Sequence, residues 1–296
     1  MTASRATRKR RRWLRRILFA SVLGSFAALG VCLFALHQLS NPYRQEVGNP
    51  PEWLAAHDVV LQGDISGWYS TSPGDHASVL LLHGVRSDRR SMLGRARFLR
   101  ESGFSVLLID LPAHGESAGR SITFGLEESI AVTAAVDFLK SKTPEIPTFI
   151  IGSSLGGAAA LLSDPPPDVA AMVLEAVYDD IDNAFENRVR RRVGDTGASL
   201  ARTVLPLLGS ILGVDREILR PVEAAASSDT PVLVIAGTLD QRTTVDDTQR
   251  LFAAFKGPKQ LWLVEGAKHQ NLFRFNESEY RRVVGAFLEG VIADLE

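Results

Sequence analysis

The chain has 296 residues, 45% of them apolar and 23% charged, with 24 glycines, 14 prolines and one cysteine. It can bury a sizeable core, and it is not a disordered, collagen-like or coiled-coil chain or a disulfide-stapled module. Its formal net charge of −1 joins two unlike parts: residues 1–16 hold eight bases and no acid, which leaves 25 bases against 34 acids in the rest, an acidic body ill suited to nucleic acid.

The basic start runs into Ile17–Leu36, a charge-free stretch whose polar side chains are Ser21 and Ser25. As a helix it would be roughly 30 Å long, one hydrocarbon core. The pattern predicts a basic cytoplasmic stub over 1–16 and one N-terminal transmembrane helix over 17–39, with the remainder outside the cytoplasm, because basic flanks stay inside. A cleaved leader would have an apolar run of about 7–15 residues and a small-x-small cleavage site; this run is longer and ends in Ala35-Leu36-His37-Gln38. Residues 40–56, with Pro42, Pro50 and Pro51, read as a linker. Cys32 lies in the expected span, so no disulfide is expected beyond it.

From His57 to Glu296 short apolar runs alternate with helical patterns. The expected strands are 59–61, 65–70, 79–83, 105–110, 148–152, 170–174, 232–237 and 260–264, and the later ones are continuously apolar, as parallel strands covered on both faces are. Helices are expected over 89–101, 126–140, 155–162, 245–255 and 277–292. The sum is an α/β fold, a mostly parallel central sheet flanked by helices. Residues 182–229 break the alternation with a basic cluster at Arg188, Arg190, Arg191 and Arg192 and an apolar stretch at 204–212; an insertion this long reads as a short helical cap over the site.

Where the strand ending at Gly152 runs into a helix, Gly152-Ser153-Ser154-Leu155-Gly156 forms Gly-x-Ser-x-Gly, and a sharp turn there would lift Ser154 clear of the sheet. A second match, Gly115-Glu116-Ser117-Ala118-Gly119, has no strand running directly into a helix, and Ser117 reads as a loop residue. A serine hydroxyl needs a base, and in this architecture the chain order is Ser, acid, His. Of six histidines, His269 follows Ser154, just past the last strand, while Asp240 lies after the preceding strand in Gly237-Thr238-Leu239-Asp240, with Glu175 as the second candidate acid. The expected oxyanion donors are the N–H groups of Leu155 and of Val85, which follows His83-Gly84; His83 would brace that turn, and Arg86 reads as a solvated loop residue or an attractor for an anionic substrate group.

His83-Gly84, the segment Asp110 to Ser117, the turn at Ser154, Gly237–Asp240 and Gly266–His269 together resemble the α/β-hydrolase superfamily over residues 57–296, and within it the serine aminopeptidase and monoacylglycerol-lipase-like branch. The resemblance implies a serine hydrolase with an acyl-enzyme intermediate, needing no cofactor and no metal. Leu111-Pro112-Ala113 departs from that branch, and the cap has no acidic cluster suited to a peptide amino terminus, so ester hydrolysis of a small-molecule or lipid-like acyl substrate is expected ahead of peptidase activity. Acyl transfer by the same triad, or a non-catalytic interaction module on this fold, are the alternatives.

Overall fold

The computed structural model describes residues 3–212 and 215–296; within its helices, the side chains of 3–9, 21, 25, 27–29, 31–33, 35, 36, 39, 196, 200, 201 and 203–212 lie outside that description. The chain runs α1 (Ala3–Ser40), β1 (Tyr43–Arg44), β2 (His57–Leu61), β3 (Ile65–Ser70), β4 (Ala77–Leu82), α2 (Leu93–Glu101), β5 (Phe104–Ile109), β6 (His114–Gly115), α3 (Leu126–Lys142), β7 (Thr148–Ser153), α4 (Leu155–Leu161) and β8 (Ala171–Glu175). It continues through α5 (Ile181–Leu212), α6 (Pro221–Ala225), β9 (Val232–Gly237), α7 (Val245–Ala254), β10 (Lys259–Val264), α8 (Leu272–Phe275) and α9 (Glu277–Leu295).

Eight strands form the main sheet in the order β10-β9-β8-β7-β4-β5-β3-β2. The pairs from β10 to β5 are parallel, and β3 is antiparallel to both β2 and β5. Alternate side chains of each central strand enter opposite cores. Leu80, Leu107, Ile150 and Val234 face one, with Val132 and Ala135 of α3 and Leu251 of α7. Leu81, Leu108, Ile151 and Ile235 face the other, with Leu99 of α2 and Tyr280, Val284 and Leu288 of α9. Burial on both faces is why β4, β5 and β9 are apolar without alternation.

The basic stub and the apolar run lie on one continuous helix, α1. Among the described residues no helix is long and apolar enough to cross a membrane; the expected span over 17–39 falls in good part, including Ser21, Ser25 and Cys32, on side chains outside that description. Residues 40–56 are not a loose spacer. Tyr43–Arg44 pairs in parallel with His114–Gly115, and the N–H groups of Tyr43 and Gln45 donate to the carbonyls of Ala113 (2.7 Å) and Gly115 (2.9 Å). The Val47 and Gly48 N–H groups bond Glu116 Oε1 at 2.9 and 3.1 Å. Strands of two residues carry no readable hydrophobic period, which is why composition alone pointed to a spacer.

The insertion after β8 is helical, as expected. α5 breaks at Gly194, whose φ of 74° lies outside helical space. The apolar stretch at 204–212 belongs to the side chains outside the description.

Candidate active site

Ser154 stands between the last residue of β7 and the first of α4, with φ 50° and ψ −109°. A non-glycine residue at positive φ costs on the order of 1–3 kcal/mol, so the surroundings must impose it. They do so from both sides. The Ser154 N–H donates to the Glu175 carbonyl of β8 at 2.7 Å. On the helix side the turn is tight enough that a Cβ on Gly152 would lie 2.6 Å from the Gly157 Cα, and one on Gly156 2.7 Å from the Leu82 carbonyl oxygen. The hydroxyl-bearing residue is thereby held at the carboxyl end of the sheet, at the amino terminus of α4, whose first N–H groups, Leu155 among them, have no intrahelical partner.

Asp240 and His269 occupy the neighbouring loops after β9 and β10, and His269 Nδ1 lies 2.7 Å from Asp240 Oδ2. The Asp240 side chain is fully buried and the imidazole is 14% exposed. Asp240 Oδ1 accepts from the N–H groups of Arg242 (2.7 Å) and Thr243 (3.1 Å), and Oδ2 also accepts from Thr243 Oγ1 at 2.8 Å. Burial opposes the charge, but the His269 bond and these N–H donors outweigh it, and the carboxyl sits below the usual carboxylate range. An ionised acceptor on Nδ1 fixes the tautomer in which Nε2 is the basic nitrogen. Thr243 was not anticipated; the signal present was an Asp followed three residues later by Thr at the mouth of a strand, the pattern of a side chain closing a turn on its own backbone.

The second candidate acid is engaged elsewhere. Glu175 is buried, with Oε1 receiving Arg95 Nε at 2.6 Å and Oε2 the Arg95 Nη2, and it also accepts from the Tyr280 hydroxyl. Ser117, the second sequence match, is buried in the loop before α3, donating to the Asp110 carbonyl at 2.6 Å and accepting from the Ser66 N–H. It is a structural hydroxyl.

The turn after β4 places Gly84 against the elbow, where a Cβ would lie 3.6 Å from the Ser153 carbonyl oxygen and the Ser154 Cβ. Val85 is the next residue of this turn. Two buried histidines hold the turn. His83 Nε2 accepts the Leu111 N–H at 3.0 Å, and its Nδ1 donates to the Gly84 carbonyl at 2.8 Å. His114 Nε2 accepts the Arg86 N–H at 3.0 Å, which pins the residue after Val85, whose φ is 54°. His83 was expected to brace this turn; His114, distant in sequence, gave no sign of joining it. The Arg86 guanidinium points away, donating to the Gln38 carbonyl at 2.9 Å and lying over the Tyr43 ring.

Residues 79–286 match the model of the alpha/beta hydrolase family. The chain belongs to this family. Its relatives include the uncharacterised Bacillus subtilis protein YqkD, 28% identical over 77% of this chain and 76% of that one. An uncharacterised protein of Mycobacterium tuberculosis is 32% identical over 73% of each chain. Among solved structures, the Pyrococcus furiosus esterase Pf2001 superposes with a TM-score of 0.67 at 25% identity, covering 84% of this chain and 96% of that one. A putative lipase of Acinetobacter baumannii shares the fold, with a TM-score of 0.59 at 18% identity over 82% of this chain and 94% of its own. The mostly parallel central sheet flanked by helices is this family's fold in the present chain.

Proposed function

We propose that this hydrolase is a serine esterase working through an acyl-enzyme, with Ser154 as nucleophile, His269 as base and Asp240 as its orienting acid. The observation that carries the reading is the fully buried, ionised Asp240 on Nδ1 of His269, on the same sheet rim as a serine held at positive φ. In the proposed cycle Ser154 Oγ attacks the ester carbonyl as His269 Nε2 takes its proton, and the Val85 and Leu155 N–H groups receive the charge on the tetrahedral oxygen. Collapse expels the alcohol, which takes the proton from the imidazolium. Water, deprotonated by the same nitrogen, then releases the carboxylic acid and restores Ser154.

A fluorophosphonate probe tests this directly. The full-length protein is expected to label at Ser154, the Ser154→Ala variant not at all, and Asp240→Asn more slowly by about 10⁴, the cost of presenting the wrong tautomer. Absence of label on folded wild-type protein would falsify the esterase reading.

The placement we propose is a single-pass membrane anchor with the catalytic domain outside the cytoplasm and a small-molecule or lipid-like acyl substrate. Support comes from the charge-free run beside eight bases and from the bare apolar side chains of Leu18, Phe19, Leu23, Phe26 and Phe34 on α1.

A further inference from the structure

Arg89 and Arg95 lie in the interior of the domain and Arg188 is half-buried, and their surroundings differ. Arg89 faces Asp110 and Glu116, and Arg95 faces Glu175. Arg188, on α5, has one hydrogen bond from its guanidinium, Nη1 to the Ala184 carbonyl one turn back at 2.8 Å. A guanidinium carries five N–H donors, so most of Arg188 is uncommitted.

Its neighbours locate it at the catalytic rim. Its electrostatic neighbours are Arg242, Tyr178 and Asp240, from the loops that follow β8 and β9. The preceding residue fixes this placement, since Asn187 Nδ2 donates to the Arg242 carbonyl at 3.3 Å and to Asp247 Oδ2 at 2.7 Å, clamping this turn of α5 onto the Asp240 loop. Asp240 is the acid within reach, and both its oxygens are already filled by Arg242 N, Thr243 N, Thr243 Oγ1 and His269 Nδ1. Among the described residues no carboxylate pairs with Arg188 or Arg242, and every residue whose side chain lies outside the description is non-acidic. Burial foremost, then repulsion from Arg242, holds the Arg188 guanidinium down to about 10. Neither guanidinium has a carboxylate of its own to pair with, and an anion held between them would satisfy both.

We propose that Arg188 and Arg242 form an anion-binding subsite of the substrate pocket, so that the natural ester carries a carboxylate or phosphate close to its reacting carbonyl. The inference rests on the esterase reading for the chemistry and on the cap geometry for the charge. With 34 acids against 25 bases outside the basic start, the body as a whole repels anions, so the selectivity is local to this pair.

The test compares 4-nitrophenyl butyrate with the 4-nitrophenyl monoester of succinic acid, nearly isosteric acyl groups differing in one terminal carboxylate, on the full-length protein. The wild type is expected to favour the succinyl ester in kcat/KM. Arg188→Ala and Arg242→Ala each lower the succinyl-to-butyryl ratio about tenfold, through KM, and Arg188→Lys recovers part of it. A ratio the same in wild type and both alanine variants overturns the proposal. A binding measurement separates this from failure of the esterase reading. Monomethyl succinate or glycerol phosphate is expected to raise the melting temperature of the Ser154→Ala protein, and methyl butyrate is not; the anion that gives the shift names the group. If neither ester is hydrolysed the esterase reading fails, and this shift still decides the subsite: its absence with both anions overturns it.

Discussion

His83 and His114 meet edge to face with ring centroids 5.0 Å apart, each fully buried and each spending both nitrogens on main-chain groups. Burial is the chief reason both are pushed down from 6.5 to about 4, and for His114 the neighbouring His83 adds to it. The native state therefore keeps both neutral while the unfolded chain protonates them near 6.5. Stability is full above that pH and falls as the pH is lowered toward 4, because the unfolded state binds protons that the folded state refuses. The expected loss is on the order of 3 kcal/mol per histidine across that window. Melting temperatures measured between pH 7 and 4.5 check it, and a flat profile would show that these rings are not held neutral. Sequence order pointed to Ser154, Asp240 and His269 because each follows a strand with a readable apolar run. Thr243 and His114 act by hydrogen bonds to main chain and carboxylate, which leave no periodic trace.

At the scale of elements, the elbow depends on how closely α4 approaches β4. A methyl group on Gly156 would sit 2.6 Å from the Leu82 Cβ, 2.7 Å from the Leu82 carbonyl oxygen and 2.8 Å from that of His83, and two of these three are backbone atoms that no rotamer change can move. Gly156→Ala is expected to cost about 1–3 kcal/mol and to slow probe labelling, since the strand it pushes on leads into the turn bearing Val85. Thermal melting together with labelling rate separates this outcome from a merely unstable protein, for which folded molecules label at the wild-type rate. The strands were legible to within two residues at most ends, as at Ile65–Ser70 and Val232–Gly237, and for Val232–Gly237 the reason is that burial on both faces demands an unbroken apolar run. The break at Gly194 was not, since one glycine in a helical pattern is compatible with a continuous helix.

For the whole molecule, the order of segments and the α/β class were legible from alternation alone, whereas the seam between residues 40–48 and the domain was not. That seam sets where the chain can be cut. A protein lacking residues 1–39 keeps the Ser40 carbonyl that receives the Ile122 N–H at 2.7 Å, the β1–β6 pair and the Glu116 contacts. It is expected to fold, to label with the probe and to leave the membrane fraction. Removing residues 1–48 strips the N–H donors from Glu116 and uncovers β6, and should lower the melting temperature by several degrees. Fractionation and melting of the two truncations check both statements; a shorter protein that remains with membranes would sink the anchor.

The contact between Gln38 and Arg86 carries a last consequence. The first helix ends within one side chain's length of the turn that bears Val85, and the chain beyond it is bonded down without slack. With α1 anchored as proposed, the rim that carries Ser154 stays close to the end of that helix, like a tool on a bracket and not on a leash. Molecules presented there are within reach, and those farther out must come to it.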